Sequence, residues 1–308
     1  MNKLTPNIKI YEMFMRDGLQ SLKKIYPLTT KIEFMKLLNK CNFDCIEFGS
    51  TTNPKLLPQI ANSFELYNFI EKKPYTKYTM LIPSFNQTKK VLDAKINSFG
   101  LVCSVSETFA KKNLLKSSKE TFANVINQMD LITKINPDVN NIHMRVYLSC
   151  SFGSPWEDFN TEYLRILRNY VVKLVDYAKD KKIPYDNFDV VIADTVGLSS
   201  DERTNLILRI INFYLSKEEK NYLAMHIHST DYKFHNQIKK CIHSDILKFD
   251  SSMCGIGGCP FAEDKMLGNI STIKLIEFLN CYYGYSTNNA IDELYEIQED
   301  IIKHLNSN

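Results

Sequence analysis

The strongest constraint on this chain is a repeated pattern rather than a repeated sequence. Eight short apolar or alternating runs recur along it, at residues 8–14, 45–48, 78–82, 98–103, 142–148, 188–193, 223–227 and 247–251. Stretches with helical spacing separate them, at 30–41, 56–71, 119–134, 163–181 and 202–215. A strand followed by a helix, repeated along the chain, reads as successive parallel βα units. Eight such units predict an α/β fold of the TIM (β/α)8 barrel type, for which 308 residues is a normal length. Two more helical patterns, 270–283 and 290–304, follow the last strand. Residues 270–308 are therefore expected to form a helical cover on a single catalytic domain spanning 1–308. No Gly/Ser linker or low-complexity block divides the chain.

Composition excludes several classes. With 44% hydrophobic and 24% charged residues the chain is typical of a globular protein rather than a disordered one. A net charge of +3, from 38 basic against 35 acidic residues, with the basic residues scattered rather than clustered, leaves only a weak nucleic-acid footprint. No run approaches the roughly 18 apolar residues of a membrane span, and the first residues lack an apolar signal region, so a cytoplasmic protein is expected. None of the eight cysteines has the spacing of a zinc knuckle or a redox pair, and most are expected to be buried small hydrophobes.

The chemistry-bearing residues fall where the barrel pattern gives them meaning. Arg16 and Asp17 follow the first run, Glu47 ends the second, Asp194 follows the sixth, His226 and His228 end the seventh, and Cys259 lies beyond the eighth. In a barrel these positions converge on the C-terminal rim, where loops vary on rigid strands. Alternate residues of a strand face one way, so His226 and His228 can present two imidazoles to one ion, with Asp17 as an oxygen ligand. Cys259, between a glycine pair and a proline, suits a bent loop over a substrate. Each motif alone has a plainer reading: Arg-Asp-Gly as a turn, His-x-His as packing, Asp194 or Thr195 as a helix cap, Cys150 and Trp156 as packing, Lys111 and Lys112 as a solvated face.

Taken in order, the motifs resemble the 3-hydroxy-3-methylglutaryl-CoA lyase family of the metal-dependent barrel superfamily that also holds the isopropylmalate and homocitrate synthases. The matching stretches are 12–20, 46–59, 106–113, 145–155, 194–197, 225–228 and 255–269. The resemblance implies that Asp17, His226, His228 and the amide oxygen of Asn269 hold a divalent cation, Mg or Mn. It implies a catalytic group of Arg16, Glu47, Asp194, His226 and Cys259, with Arg16 at the enolate oxygen, Cys259 as proton carrier and Glu12 supporting Arg16. It assigns Lys23, Lys111 and Lys112 to the phosphates or adenosine of CoA. The implied reaction is retro-Claisen cleavage of an acyl-CoA to acetyl-CoA and acetoacetate, without nucleic-acid or membrane partners and in a homodimer.

The chain departs from the family pattern at Ser229, where an aspartate usually follows the His-x-His; the loss of an orienting carboxylate is expected unless Asp231 replaces it. Ser154 and Ser84 also replace usual family residues, and the interval from Cys259 to Asn269 is one residue longer. Two other readings stand beside the lyase. One is a condensing synthase of the same superfamily, which typically carries a long C-terminal extension and lacks the Gly-Gly-Cys-Pro loop. The other is a non-catalytic acyl-CoA-binding barrel.

Overall fold

The computed structural model describes residues 6–229, 233–258 and 267–307. Cys259 and Asp231 lie outside them. Eight parallel strands close into a barrel in chain order: β1 (Lys9–Glu12), β2 (Cys45–Ser50), β3 (Lys77–Ile82), β4 (Ser98–Ser104), β5 (His143–Ser149), β6 (Phe188–Ala193), β7 (Leu223–His226) and β8 (Lys248–Ser251). β8 pairs with β1 to complete the circle, Lys9 standing opposite Lys248 and Glu12 opposite Ser251. The expected TIM barrel is therefore the observed fold. Among the described residues no helix is long and apolar enough to cross a membrane.

The helices are α1 (Leu28–Asn39), α2 (Ser63–Phe69), α3 (Phe85–Asp93), a single turn α4 (Glu107–Phe109), α5 (Ser118–Ile135), α6 (Thr161–Asp180), α7 (Asp201–Tyr214), α8 (Phe234–His243), α9 (Thr272–Tyr283) and α10 (Ile291–Asn306). Their starts follow from local chemistry. Ser117 and Glu120 form a reciprocal capping box on α5, while Asn160 caps α6 and Ser200 caps α7 through side-chain oxygens. After β8, α9 and α10 pack on each other and on the turn Met253–Gly255, and α10 also packs on α1.

Three departures from the sequence reading have physical causes. The stretch 56–71 is not one helix but a short turn, Pro58–Ile60, followed by α2. Ser63 Oγ donates to the Ile60 carbonyl and accepts the Ser50 N–H, fastening α2 to β2. That approach needs Gly49, where a Cβ would stand 2.3 Å from Ser63 Oγ. Helix α3 buries only Thr88 and Val91, too thin an apolar stripe to stand out in sequence. Helix α8 buries Phe234, Gln237, Ile238, Cys241 and Ile242, a regular helical spacing that a glutamine and a cysteine disguise.

Apolar packing lies between strands and helices, while the barrel interior is largely polar. On β5, Met144, Val146 and Leu148 join the outer core, whereas His143, Arg145 and Tyr147 alternate inward. Near the N-terminal end, Lys248 Nζ donates to Asp189 at 2.7 Å, Asp189 lies 3.1 Å from His143 Nε2, and His143 Nδ1 lies 2.8 Å from Ser98 Oγ. In the middle, Arg145 donates to Asp250 at 2.6 Å and lies over the Tyr11 ring, 4.2 Å from its centroid. Burial raises the Asp189 carboxyl, but Lys248, His143 and Arg145 together hold it well below the usual carboxylate range. A barrel interior usually filled by branched aliphatics is here a stack of paired charges that leads up to the rim.

Candidate metal centre and active site

The rim turn after β1 places the first group. Phe14–Gly18 forms one wide helical turn in which Arg16 and Asp17 are buried. The Arg16 guanidinium pairs through Nε with Glu47 inside β2 and through Nη1 with Asp17 Oδ1 at 2.6 Å. Tyr147 donates to the other Glu47 oxygen at 2.6 Å, so Glu47 is held from both sides. Burial raises the Asp17 carboxyl, but Arg16 and then the two histidines more than offset this and keep it ionised below the usual range. Gln20 adds a bond to Oδ1 at 2.9 Å, and Asn269 donates to Oδ2 at 2.7 Å.

The end of β7 and the segment just beyond it supply the imidazoles. His226 Nδ1 lies 3.1 Å from the Asp250 carboxylate and His228 Nδ1 lies 3.0 Å from the Leu267 carbonyl, both of which only accept. Each Nδ1 therefore carries the proton, and each Nε2 of the neutral ring is a lone pair. The two Nε2 atoms face each other at 3.1 Å. Two neutral rings would set lone pairs against each other there, so the pair calls for a shared proton or a bound cation; burial lowers the His226 imidazole, but Asp250 and Asp17 outweigh it and raise the group, which favours such a positive charge. Ligand atoms of Asp17, His226 and His228 all lie within 4.8 Å of one another. An ionised oxygen and two imidazoles whose outer nitrogens are held by acceptors can together hold a divalent metal.

These groups form one side of a cavity of about 200 Å³ at the rim. Leu57, Leu81, Pro83, Val102, Phe109 and Leu114 add apolar lining, and Thr52, Ser149 and Thr195 add hydroxyls. Such a cavity can hold an oxygen-rich head group against the carboxylate and imidazoles while an aliphatic part faces the leucines.

Asp17, Arg16, Glu47, His226, His228 and Asn269 therefore stand together. Several other residues singled out in the sequence stand elsewhere or do something else. Asp194 is buried near the cluster, but its carboxylate accepts the N–H groups of Leu198 at 2.7 Å and Ser199 at 3.1 Å, tying its own loop. Lys23 is exposed on the segment before α1 and does not line the cavity. Lys111 pairs with Glu107 at 3.0 Å, and Lys112 lies 4.2 Å above the Trp156 ring, both at the rim after β4. Asn269 turns its amide nitrogen to Asp17 and to the Ile256 carbonyl, because both neighbours are acceptors. The expected support of Arg16 by Glu12 is corrected: Glu12 accepts the N–H groups of Phe14 and Met253 and the Thr272 hydroxyl, while Glu47 and Asp17 hold Arg16.

Sequence reasoning missed Asp250, Tyr147 and Gln20. The usable signal was polar alternation inside an otherwise buried strand, Lys248 and Asp250 in β8 and His143, Arg145 and Tyr147 in β5. Asp250 also bears on the departure at Ser229. The carboxylate that orients His226 comes from β8 rather than from the residue after His228.

Comparison with known proteins gives consistent relatives. A family model described as HMGL-like matches residues 7–301. The mitochondrial hydroxymethylglutaryl-CoA lyase of Mus musculus is 28% identical over 99% of this chain and 88% of its own length. The cytoplasmic 3-hydroxy-3-methylglutaryl-CoA lyase of Rattus norvegicus is 28% identical over 97% of this chain and 80% of its own. Among solved structures, an HMG-CoA lyase from Acinetobacter baumannii, in complex with coenzyme A and 3-methylmalate, superposes with a TM-score of 0.82 at 24% identity, covering 99% of this chain and 93% of that one.

Proposed function

Because the chain belongs to the HMGL-like family, we propose that it is a carbon–carbon lyase that cleaves 3-hydroxy-3-methylglutaryl-CoA, or a close 3-hydroxyacyl-CoA, to acetyl-CoA and acetoacetate. The observation that carries this reading is the pair of Nε2 atoms facing each other at 3.1 Å beside an ionised Asp17, with Arg16 bonded to the same carboxylate. Asp17, His226, His228 and Asn269, the last through its carboxamide oxygen, are the proposed ligands of a Mg or Mn ion. When bound, that ion supplies Lewis-acid polarisation of the substrate oxygens.

The remaining work falls to the chain's own residues. Transfer of the tertiary hydroxyl proton to a nearby basic side chain lets the bond between C2 and C3 break; C3 becomes the ketone of acetoacetate, and the electron pair passes into the thioester as an enolate. Arg16, held rigid by Glu47 and Asp17, is the fixed cation for that enolate oxygen. The Tyr147 bond to Glu47 keeps Glu47, and through it Arg16, in one orientation. Cys259 is proposed to deliver a proton to the enolate carbon, giving the methyl group of acetyl-CoA. Glu47 and Asp194 are proposed to complete the polar floor. Lys23, Lys111 and Lys112 are proposed to meet the CoA phosphates and adenosine from the rim. We treat residues 1–308 as one catalytic unit with 270–308 as its helical cover, working in the cytoplasm as a homodimer.

The test is incubation of purified protein with Mg2+ and 3-hydroxy-3-methylglutaryl-CoA, followed by mass spectrometry. Acetyl-CoA and acetoacetate are expected in equal amounts, with loss of turnover on chelation and a deep loss in Cys259→Ser. Failure to form either product, with condensation of acetyl-CoA and a 2-oxo acid instead, would move the assignment to the synthases. Light scattering tests the dimer.

A further inference from the structure

At the end of β1 the Glu12 carboxylate is fully buried and surrounded by donors from three separate segments. Oε1 accepts the N–H of Phe14 at 2.8 Å and of Met253 at 2.9 Å, and Oε2 accepts the Thr272 hydroxyl at 2.6 Å. Each partner opens a segment that bears on the metal centre. Phe14 begins the turn that carries Arg16 and Asp17. Met253 begins the turn after β8, four residues before Gly257. A Cβ on Gly257 would stand 1.9 Å from Asn269 Nδ2, so that glycine makes the room the asparagine fills. Thr272 begins α9, three residues after Asn269.

The same segments meet again beside the carboxylate. A Cβ on Gly18 would lie 3.3 Å from Ser252 Oγ and 3.4 Å from the Ile256 carbonyl oxygen, and Asn269 donates to Asp17 at 2.7 Å. Ser252 and Ser271 are bridged, with Thr272 N–H donating to the Ser252 carbonyl at 3.1 Å. Apolar contacts alone would let these segments slide, because burial is not directional. An acceptor with three directed donors does not, since each buried donor it releases is left unpaired.

We propose that Glu12 is a positioning residue of the metal centre, one carboxylate that registers the Asp17 turn against the segment carrying Asn269. The inference rests on the reading of Asp17, His226, His228 and Asn269 as a metal centre. It concerns placement only: Glu12 touches neither ion nor substrate.

The experiment measures Mn2+ affinity by calorimetry and amide hydrogen exchange of the metal-free protein in Glu12→Ala, Glu12→Gln and Thr272→Val. Glu12→Ala is expected to weaken Mn2+ binding by about 10- to 100-fold, the range for lost outer partners of a metal site, and to speed exchange in residues 13–18 and 267–273. Glu12→Gln keeps one oxygen for both N–H groups and offers an N–H that the Thr272 oxygen accepts, so it should return affinity to within about threefold of the parent. In an Asn269→Ala background the Glu12→Ala loss should shrink below about threefold, since the registered partner is gone. If Glu12→Ala does not fold, Thr272→Val carries the same comparison, with a loss of about tenfold expected. Parent-like Mn2+ affinity, or an equal loss with and without Asn269, would overturn the proposal. A parent protein with no Mn2+ affinity would instead overturn the metal reading; unchanged exchange in 13–18 and 267–273 would then still count against Glu12.

Discussion

Asp250→Asn separates the two tasks of a buried carboxylate. Asp250 Oδ2 lies 3.1 Å from His226 Nδ1, and Oδ1 accepts Arg145 Nη2 at 2.6 Å. Asparagine has nearly the same shape but only one acceptor oxygen. If that oxygen stays with Arg145, an amide N–H meets His226 Nδ1 and drives the ring to the tautomer with its proton on Nε2, where the ion needs a lone pair. Loss of an orienting partner of a metal-bound histidine typically costs about 10- to 100-fold in affinity, or about 1.4 to 2.7 kcal/mol. Folding should also suffer. Arg145 is fully buried, its Nε and Nη1 have no hydrogen-bond partner, and its other carboxylate, Asp189, stands 3.7 Å from Nε. Breaking a buried ion pair costs about 3 to 5 kcal/mol, and the remaining Asp189 places this case at the lower end. Two assays keep the effects apart: calorimetric titration of folded variant with Mn2+, and urea unfolding of metal-free protein. A fall in stability with Mn2+ affinity within about twofold of the parent would refute the reasoning, because Asp250 would then serve the barrel interior without setting the His226 tautomer.

Three further outcomes are expected. Ser229→Asp should change Mn2+ affinity by less than about threefold, because both Nδ1 atoms already have acceptors; a gain of about tenfold would show that the centre lacks an orienting carboxylate. Gly257→Ala places a Cβ 1.9 Å from Asn269 Nδ2 and 3.0 Å from Asp17 Oδ2, so Asn269 must move; about a tenfold loss of Mn2+ affinity is expected, and parent-like binding would remove Asn269 from the ligand set. Burial raises the Glu12 carboxyl from 4.5 to about 7, with the thiols of Cys41 and Cys254, themselves pushed up to about 12, as its titratable neighbours. The folded state then holds the Glu12 proton more tightly than the unfolded chain, so this contribution to stability is complete below about pH 4.5 and lost as pH rises through 7. That amounts to roughly 3 kcal/mol at 1.36 kcal/mol per pKa unit. Urea unfolding of Glu12→Gln between pH 4.5 and 7.5 should show a flatter profile than the parent, and identical slopes would refute the assignment.

What the sequence determined by itself was the part of the structure that rests on local periodicity. Eight apolar or alternating runs, most of them separated by helical spacing, specify parallel βα units, and the closed barrel follows because each strand must bury its outer face under the helix that follows it. Arg16 and Asp17 in the turn after β1, Glu47 within β2, and His226 and His228 at and just beyond the end of β7 were thereby placed on one rim, since strands are fixed points in a barrel whatever its loops do. Only the tertiary structure decided which groups orient them. Asp250 is 24 residues from His226 and Arg145 is 105 residues from Asp250, so those bonds exist only because barrel closure brings alternate inward positions of β5, β7 and β8 together. Glu12 reaches Met253 and Thr272 for the same reason, across 241 and 260 residues. Nothing local in the chain distinguishes a carboxylate that meets the nearby Arg16 from one that ties the first strand to the last. That choice is made by which donors the closed barrel leaves without partners.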